Sequence, residues 1–221
     1  MKLKVCGMKY QENIEAVAKL QPDYLGFIFY EKSPRNFEEE IPALPSTIKK
    51  TGVFVDASID FIIEKVSEFG FKAVQLHGNE TVEYCKDLKS QLENHTEPLD
   101  WNTEPVEVWK VFSIKDEFDF DLLQPYEGIV DYFLFDTKGK EKGGNGYAFD
   151  WSVLEGYPST TPFILSGGIG LDEVEKIKAI LKTDLPIHGI DVNSKFEIKP
   201  GLKNIKDLEE FKKLLFVDDK L

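Results

Sequence analysis

Eight short apolar runs recur along the chain, and amphipathic or polar segments separate them. In order, the runs are KLKVCG, DYLGFIFY, TGVFVD, KAVQLHG, EVWKVFSI, DYFLFD, PFILSGG and IHGIDVN, at intervals of about 20 to 35 residues. Each run has the composition of a buried β-strand, and strands that alternate with helices form a parallel sheet. The pattern predicts an α/β fold, a closed (β/α)8 barrel, with an open doubly wound sheet as the alternative. The dinucleotide fingerprint GxGxxG is absent after the first run, which disfavours the open sheet.

Three of the separating segments have the apolar spacing of helices. SIDFIIEKVSEFG predicts a helix with Ser58 as its N-cap and Gly70 as its C-cap. LDEVEKIKAILK, from Leu171, and NIKDLEEFKKLL, from Asn204, predict two more helices. Residues 90–107 are the least regular part of the chain, so we expect a loop insertion there.

Charge and cysteine content limit the partners and the compartment. The formal net charge of −13 repels phosphate backbones, so nucleic acid and anionic membranes are poor partners. Two cysteines, Cys6 and Cys85, are too few for a disulfide framework, and neither a signal peptide nor a membrane-spanning run is visible. We therefore expect a cytoplasmic protein with a single barrel domain over residues 1–221. The helical faces do not distinguish a monomer from a homodimer.

The unusual polar residues of the apolar runs share one topological position. Each lies where a predicted strand ends: Cys6 after the first, His77 after the fourth, Asp136 after the sixth, Ser166, Gly167 and Gly168 after the seventh, and Asp191, Asn193 and Ser194 after the eighth. In a (β/α)8 barrel these strand ends form one rim, and the loops of that rim carry the active site. We expect these side chains to converge on one pocket.

Strand alternation places Lys4 and Cys6 on the inward face of the first strand, with Leu3 and Val5 toward the helices. The Lys4 charge is expected to favour the thiolate and to lower the pKa of Cys6, so that the thiol can act as a base. The alternative interpretation of Cys6 is a small buried hydrophobic side chain.

Asp136 and His77 are two further candidates, and each has two interpretations. An inward carboxylate at a strand end can serve as a general acid if a dry site keeps it protonated, whereas Asp136 can also be a turn or N-cap residue. His77 either faces the pocket or is a structural histidine that its neighbours hydrogen-bond. The three histidines show no ligand spacing and the chain has no CxxC motif, so no metal site is expected.

Anion recognition is predicted at an arginine and at two loops. Arg35 is the only arginine in the chain, and its planar guanidinium suits a carboxylate or a phosphate, although it can also be a solvated loop charge. LSGGIG and DVNSK follow the seventh and eighth runs, where barrels of this fold bind phosphate. KGGNG, at residues 142–146, is either a mobile lid or a flexible connector.

Six stretches of the chain resemble, in order, the phosphoribosylanthranilate isomerase family: KVCGM, GFIFYEKSPR, VQLHGNE, LFDTKGKEKGGNGYAFDW, LSGGI and IDVNSKFEIKPG. The resemblance extends from residue 2 to about residue 201. It implies a (β/α)8 barrel that converts N-(5-phosphoribosyl)anthranilate to its 1-deoxyribulose 5-phosphate isomer in tryptophan biosynthesis. The reaction is an Amadori rearrangement that needs neither a cofactor nor a metal.

The resemblance also implies roles for the candidate residues. Cys6 is then the general base and Asp136 the general acid, while Arg35 contacts the anthranilate carboxylate. His77 and Asp191 contribute to binding of the substrate, a small phosphosugar. The phosphate-binding residues are Gly167, Gly168, Asn193 and Ser194.

The chain departs from the family pattern after the eighth run. It has Ser194-Lys195-Phe196-Glu197 where the family commonly has Ser-Gly-Val-Glu, and Asn204 where an aspartate is common. Lys195 can add a phosphate contact or point to solvent. Other phosphosugar barrel enzymes and a non-catalytic phosphosugar-binding barrel stay as alternatives. Metal ligands for an epimerase, and lysines placed for indole-glycerol-phosphate synthesis, are not found in the sequence.

Overall fold

The computed structural model of the chain describes residues 1–95, 104–115, 117–137 and 150–216. Eight parallel strands close into a barrel, in which each strand pairs with the next and the eighth pairs with the first. The strands are β1 (Lys2–Val5), β2 (Tyr24–Phe29), β3 (Lys49–Phe54), β4 (Ala73–Leu76), β5 (Glu107–Ile114), β6 (Tyr132–Thr137), β7 (Phe163–Leu165) and β8 (Ile187–Val192). The predicted barrel and its eight strands are confirmed.

Helices and one small hairpin surround the barrel. The helices are α1 (Gln11–Ala18), α2 (Ile59–Phe69), α3 (Val82–His95), α4 (Val174–Ile180) and α5 (Ile205–Phe216). The 3₁₀ turns lie at Phe120–Leu122, Gln124–Tyr126, Trp151–Gly156, Leu171–Glu173 and Ser194–Phe196. An antiparallel hairpin, β9 (Glu197–Lys199) with β10 (Leu202–Lys203), follows β8. None of the described helices is long and apolar enough to cross a membrane.

The connection from β2 to β3 contains no helix. Pro34, Pro42 and Pro45 lie within it, and each proline fixes its φ angle and removes a backbone donor that a helix needs. The segment therefore runs as irregular turns, and it carries Arg35 to the carboxyl end of the barrel.

The helix predictions are confirmed in part. Ser58 caps α2 by accepting a hydrogen bond from the Phe61 amide at 3.3 Å, and Gly70 ends this helix in the left-handed conformation, as predicted. The helix predicted from Leu171 begins as a 3₁₀ turn, and the α-helical geometry of α4 begins only at Val174.

The prediction that residues 90–107 form a loop insertion is wrong at its start, because α3 continues to His95. Cys85, Leu88 and Leu92 are buried on one face of α3 at helical spacing, so packing against the barrel sustains the helix. Most of the segment between α3 and β5 lies outside the described residues.

Two apolar layers fill the fold, one outside the barrel and one inside. Outward-facing strand residues such as Leu3 and Phe133 belong to the layer between strands and helices. Tyr24, Trp109 and Leu134 belong to a separate cluster of inward-facing side chains, and the ring centroids of Tyr24 and Trp109 are 4.9 Å apart. This inner cluster fills the middle of the barrel, and the pocket described below lies above it, at the carboxyl ends of the strands.

Candidate active site

One pocket lies at the carboxyl ends of the strands, and all the residues predicted for the site line it. These residues are Cys6, Arg35, His77, Asp136, Gly167, Gly168, Asp191, Asn193 and Ser194. They come from segments that are far apart in sequence, and the closed barrel brings them together.

Cys6 follows β1, and the glycine after it allows two other parts of the site to approach. Gly7 has a φ of +73°, and a β-carbon there would lie 2.7 Å from Oδ1 of Asn193 and 2.8 Å from Cδ of Arg35. A larger residue would therefore displace both side chains. Gly7 explains why the first predicted strand ends in Cys-Gly.

Lys4 lies on the inward face of β1, as predicted, but its charge already has a partner. Its Nζ donates hydrogen bonds to Oε1 of Gln75 at 2.8 Å and to Oδ1 of Asp191 at 3.0 Å. Both ionic side chains are at most 5% exposed. Burial opposes the charge of Lys4, but Asp191 and Cys6 outweigh this effect and raise the pKa of the lysine.

The pKa of Cys6 changes in the direction opposite to the sequence-based expectation. Burial raises it above its ordinary value, the charges of Lys4 and Lys203 oppose this shift, and the charge of Asp191 adds to it. Lys4 does favour the thiolate, as predicted, but burial outweighs it, so the expected net lowering of the pKa of Cys6 is wrong. Lys4 is paired with a carboxylate, and the thiol lies where its anion loses hydration.

Asp136 lies near the end of β6, and a hydrogen-bond network leads from it to Lys4. Oδ2 of Asp136 lies 3.3 Å from Nε2 of His77, and Oδ1 accepts a hydrogen bond from the Thr137 amide at 2.9 Å. The Nδ1 of His77 lies 3.4 Å from the side-chain nitrogen of Gln75. When Gln75 donates to Nδ1, the imidazole proton is on Nε2 and points at Asp136.

The glycine loop after β7 forms another wall of the pocket. Gly167 and Gly168 have φ angles of +85° and +67°, a conformation that favours glycine. Among the described residues, the amide groups of Gly167, Gly168 and Ser194 have no hydrogen-bond partner. Backbone donors of this kind are suited to an anion.

Arg35 reaches the pocket from the connection between β2 and β3, and an acidic residue of the hairpin holds it. The guanidinium donates to Glu197 through Nε at 2.9 and 3.1 Å and through Nη2 at 2.6 Å. Lys203 donates to the same carboxylate at 2.8 Å and to Oδ1 of Asn193 at 2.7 Å. Two basic side chains thus share one carboxylate, and burial lowers the pKa of Lys203 while Glu197 opposes this shift.

Glu197 and Lys203 were not among the residues that the sequence predicted for the site. The signal in the sequence is faint: two opposite charges flank Pro200-Gly201, which a hairpin can bring together. Phe196 is buried with its ring centroid 5.0 Å from that of Phe211, so it anchors this loop to α5.

Lys195 is exposed where it lines the pocket. The predicted lid or connector at residues 142–146 lies outside the described residues.

Enzymes of the (β/α)8-barrel class carry their active sites at this rim, and the chain has the fold and the pocket of that class. Comparison with known proteins then shows the family. The family model described as N-(5'phosphoribosyl)anthranilate (PRA) isomerase matches residues 3–214, and the chain belongs to this family.

Individual relatives agree with this assignment. N-(5'-phosphoribosyl)anthranilate isomerase of Parabacteroides distasonis is 43% identical over 218 residues, which cover 96% of this chain and 91% of the relative. The crystal structure of phosphoribosyl anthranilate isomerase from Thermus thermophilus is similar in fold, with a TM-score of 0.80 at 23% identity, and covers 97% of this chain and 98% of that one. A structure of phosphoribosyl anthranilate isomerase in complex with reduced 1-(o-carboxyphenylamino)-1-deoxyribulose 5-phosphate has a TM-score of 0.75 at 26% identity and the same coverage.

Proposed function

We propose that the protein catalyses the Amadori rearrangement of N-(5-phosphoribosyl)anthranilate to 1-(2-carboxyphenylamino)-1-deoxyribulose 5-phosphate. The observation that carries the proposal is that the Cys6 thiol, which follows β1, and the Asp136 carboxylate, from β6, line one pocket. A related isomerase in complex with a reduced form of the product supports the choice of substrate.

Asp136 acts first, as the general acid. In its neutral form it gives its proton to the ring oxygen of the ribose, and the bond between C1 and that oxygen breaks. The nitrogen lone pair then forms a double bond with C1, and the intermediate is a protonated Schiff base. His77, 3.3 Å from the carboxyl group, holds it in place.

Cys6 acts second, as the general base. The cationic Schiff base acidifies the proton on C2, and the thiolate removes this proton to give an enolamine, which tautomerises to the ketone. Burial raises the pKa of Cys6 in the free protein, but a cation at C1 favours the neighbouring thiolate. Opening of the ring therefore prepares the base for the next step.

The remaining pocket residues bind the two anionic ends of the substrate. Arg35 contacts the anthranilate carboxylate, and the amides of Gly167 and Gly168 contact the phosphate together with the loop of Asn193 and Ser194. Asp191 lies beside the sugar.

A base that must stay a free thiol favours a reducing compartment, so we place the enzyme in the cytoplasm, as a single barrel domain.

A fluorescence assay that follows the loss of phosphoribosylanthranilate tests the proposed function. The protein should turn over the substrate, and Cys6→Ser and Asp136→Asn should each lower kcat by about 10²- to 10⁴-fold. Cys85→Ser is the matched control, because Cys85 is a buried thiol that does not line the pocket. Binding without turnover would favour the non-catalytic alternative, and near-normal turnover of either variant would remove that residue from its role.

A further inference from the structure

Glu197 is a buried carboxylate that the proposed mechanism leaves without a task. Its side chain is 4% exposed and accepts hydrogen bonds from Arg35, from Nζ of Lys203 at 2.8 Å and from the Gly201 amide at 3.0 Å. Burial opposes the charge of Glu197, but the hydrogen bond of Arg35 and the charge of Lys203 outweigh this effect and lower its pKa. The carboxylate is therefore ionised and fully engaged.

The contact with Glu197 determines which edge of the Arg35 guanidinium remains available. Nε and Nη2 are occupied, whereas Nη1 has no hydrogen-bond partner among the described residues. The Arg35 side chain is 12% exposed and lines the pocket. The edge formed by Nη1 and the second hydrogen of Nη2 is thus left for a ligand, and this edge can bind a carboxylate with two hydrogen bonds.

Lys203 keeps this arrangement from losing its positive charge. Glu197 alone would neutralise Arg35. Burial lowers the pKa of Lys203, whereas the charge and the hydrogen bond of Glu197 oppose this shift. The contact of 2.8 Å between Nζ and the Glu197 carboxylate favours the ammonium, with which the trio retains one net positive charge. Lys203 also donates to Oδ1 of Asn193, so one buried lysine connects the loop of Asn193 with the orientation of Arg35.

We propose that Glu197, held by Lys203, is a positioning residue that fixes Arg35 for the carboxylate of the substrate and so sets the selectivity for N-aryl phosphoribosylamines with a carboxylate beside the nitrogen. This inference rests on the proposed function, in which Arg35 binds that carboxylate. Without Glu197, the flexible arginine must be ordered when the substrate binds, and recognition of the carboxylate weakens. The competing possibility is that Glu197 blocks Arg35 and must be displaced by the substrate.

A comparison of two substrates distinguishes whether Glu197 orients Arg35 or only stabilises the structure in general. One is N-(5-phosphoribosyl)anthranilate, and the other is the corresponding compound made from aniline, which lacks the carboxylate. The measured quantity is the ratio of kcat/KM for the two substrates. Glu197→Gln should lower this ratio by about tenfold or more, the size expected for loss of an oriented charge-assisted contact. The rise in KM should appear only with the anthranilate compound.

Controls make each outcome decisive. Glu173→Gln changes a glutamate that binds the Gly170 amide at 2.8 Å, and it should leave the ratio unchanged. An equal loss of kcat/KM with both substrates, or a lower KM for the anthranilate compound in Glu197→Gln, would overturn the inference.

Arg35→Ala should abolish the preference for the substrate that carries the carboxylate. If Arg35→Ala keeps the preference, the role of Arg35 in the proposed function fails as well. If Arg35→Ala loses the preference but Glu197→Gln leaves the ratio of kcat/KM unchanged, only the inference about Glu197 is refuted. If Glu197→Gln does not fold, the double variant with Lys203→Met carries the same test.

Discussion

The Nζ of Lys4 lies 3.0 Å from Oδ1 of Asp191, and these two buried charges come from the first and last strands of the barrel. Asp191 thereby limits the influence of Lys4 on the neighbouring thiol. The Lys4 charge lowers the pKa of Cys6 and the Asp191 charge raises it, and these two residues are 187 positions apart in sequence.

Removing the charge of Asp191 should make Cys6 more reactive. In Asp191→Asn, the Lys4 charge is unopposed and the pKa of Cys6 falls, whereas in Lys4→Met the pKa rises. The rate of alkylation by iodoacetamide, measured against pH in a Cys85→Ser background, reports on this one thiol. The two profiles should move in opposite directions, and a shift of both to higher pH would contradict the argument.

Replacement of Gly167 by alanine should damage both the fold and the site. A β-carbon there would overlap the Thr137 amide and lie 2.9 Å from Oδ1 of Asp136. Gly128 is the control, because it also has a positive φ, of +73°, but its added β-carbon meets no atom within 4 Å. Gly128→Ala should therefore lower the free energy of unfolding by only about 1 kcal/mol, from backbone strain.

Gly167→Ala should lower the free energy of unfolding by about 1 to 3 kcal/mol more than Gly128→Ala, because it adds the steric overlap. Urea denaturation measures both values. Equal losses in the two variants would show that the loop after β7 relaxes to accept the methyl group.

Breaking the buried ion pair between Glu80 and Lys110 should strongly destabilise the protein. The two charged atoms are 3.0 Å apart, the side chains are 1% and 5% exposed, and Glu80 also accepts hydrogen bonds from the amides of Asp56 and Gly78. Glu80→Gln leaves the ammonium of Lys110 buried without its counter-charge. The free energy of unfolding should fall by about 3 to 5 kcal/mol.

An exposed ion pair provides the comparison for Glu80→Gln. Glu68 lies 2.6 Å from Lys65, but its side chain is 48% exposed. Glu68→Gln should change the free energy of unfolding by less than about 1 kcal/mol, because water solvates the half-exposed Glu68 and Lys65 keeps Glu64 as a second partner at 3.3 Å. Similar losses for the two variants in urea denaturation would contradict the importance of burial.

His188 should make the protein less stable in mild acid. Burial, the charge of Lys2 and other nearby positive charges lower its pKa from 6.5 to about 4, and its Nε2 lies 3.3 Å from the hydroxyl of Tyr24. Between pH 6.5 and about 4 the unfolded chain therefore binds a proton that the folded protein does not. The free energy of unfolding falls as the pH falls through this range, and it gains nothing from His188 above it.

His188→Gln isolates this contribution from those of the carboxylates. The difference in the free energy of unfolding between the wild type and the variant should decrease from pH 7 to pH 4 in a series of urea denaturations. A difference that stays constant, or that grows in acid, would show that His188 is protonated in the folded protein.

The sequence predicted those features of the structure that depend on local alternation. Leu3 and Val5 face the helices while Lys4 and Cys6 face the interior, because successive side chains of a strand point to opposite sides. The common rim follows from the same logic, since parallel strands end on one side of a barrel. The extension of α3 through Leu92 was also present in the local spacing, but the polar composition of the segment concealed it.

The features that the sequence could not predict depend on pairs of charges distant in the chain. Glu197 is 162 residues from Arg35, and it reaches the pocket only through a hairpin whose two strands are very short. The pKa of Cys6 depends on burial and on Asp191, neither of which can be read from KLKVCG alone. Local patterns thus identified many of the residues that line the pocket, whereas the Glu197 contact and the protonation and orientation of the side chains needed the complete structure.

Pairing of the first strand with the last has a consequence for biosynthesis. Cys6 precedes Asp191 and Lys203 by most of the barrel, yet its electrostatic surroundings include both of them. A nascent chain can form the earlier strands and helices and still lack a complete catalytic centre. The electrostatic surroundings of the thiol are therefore complete only when the last strand pairs with the first and closes the ring.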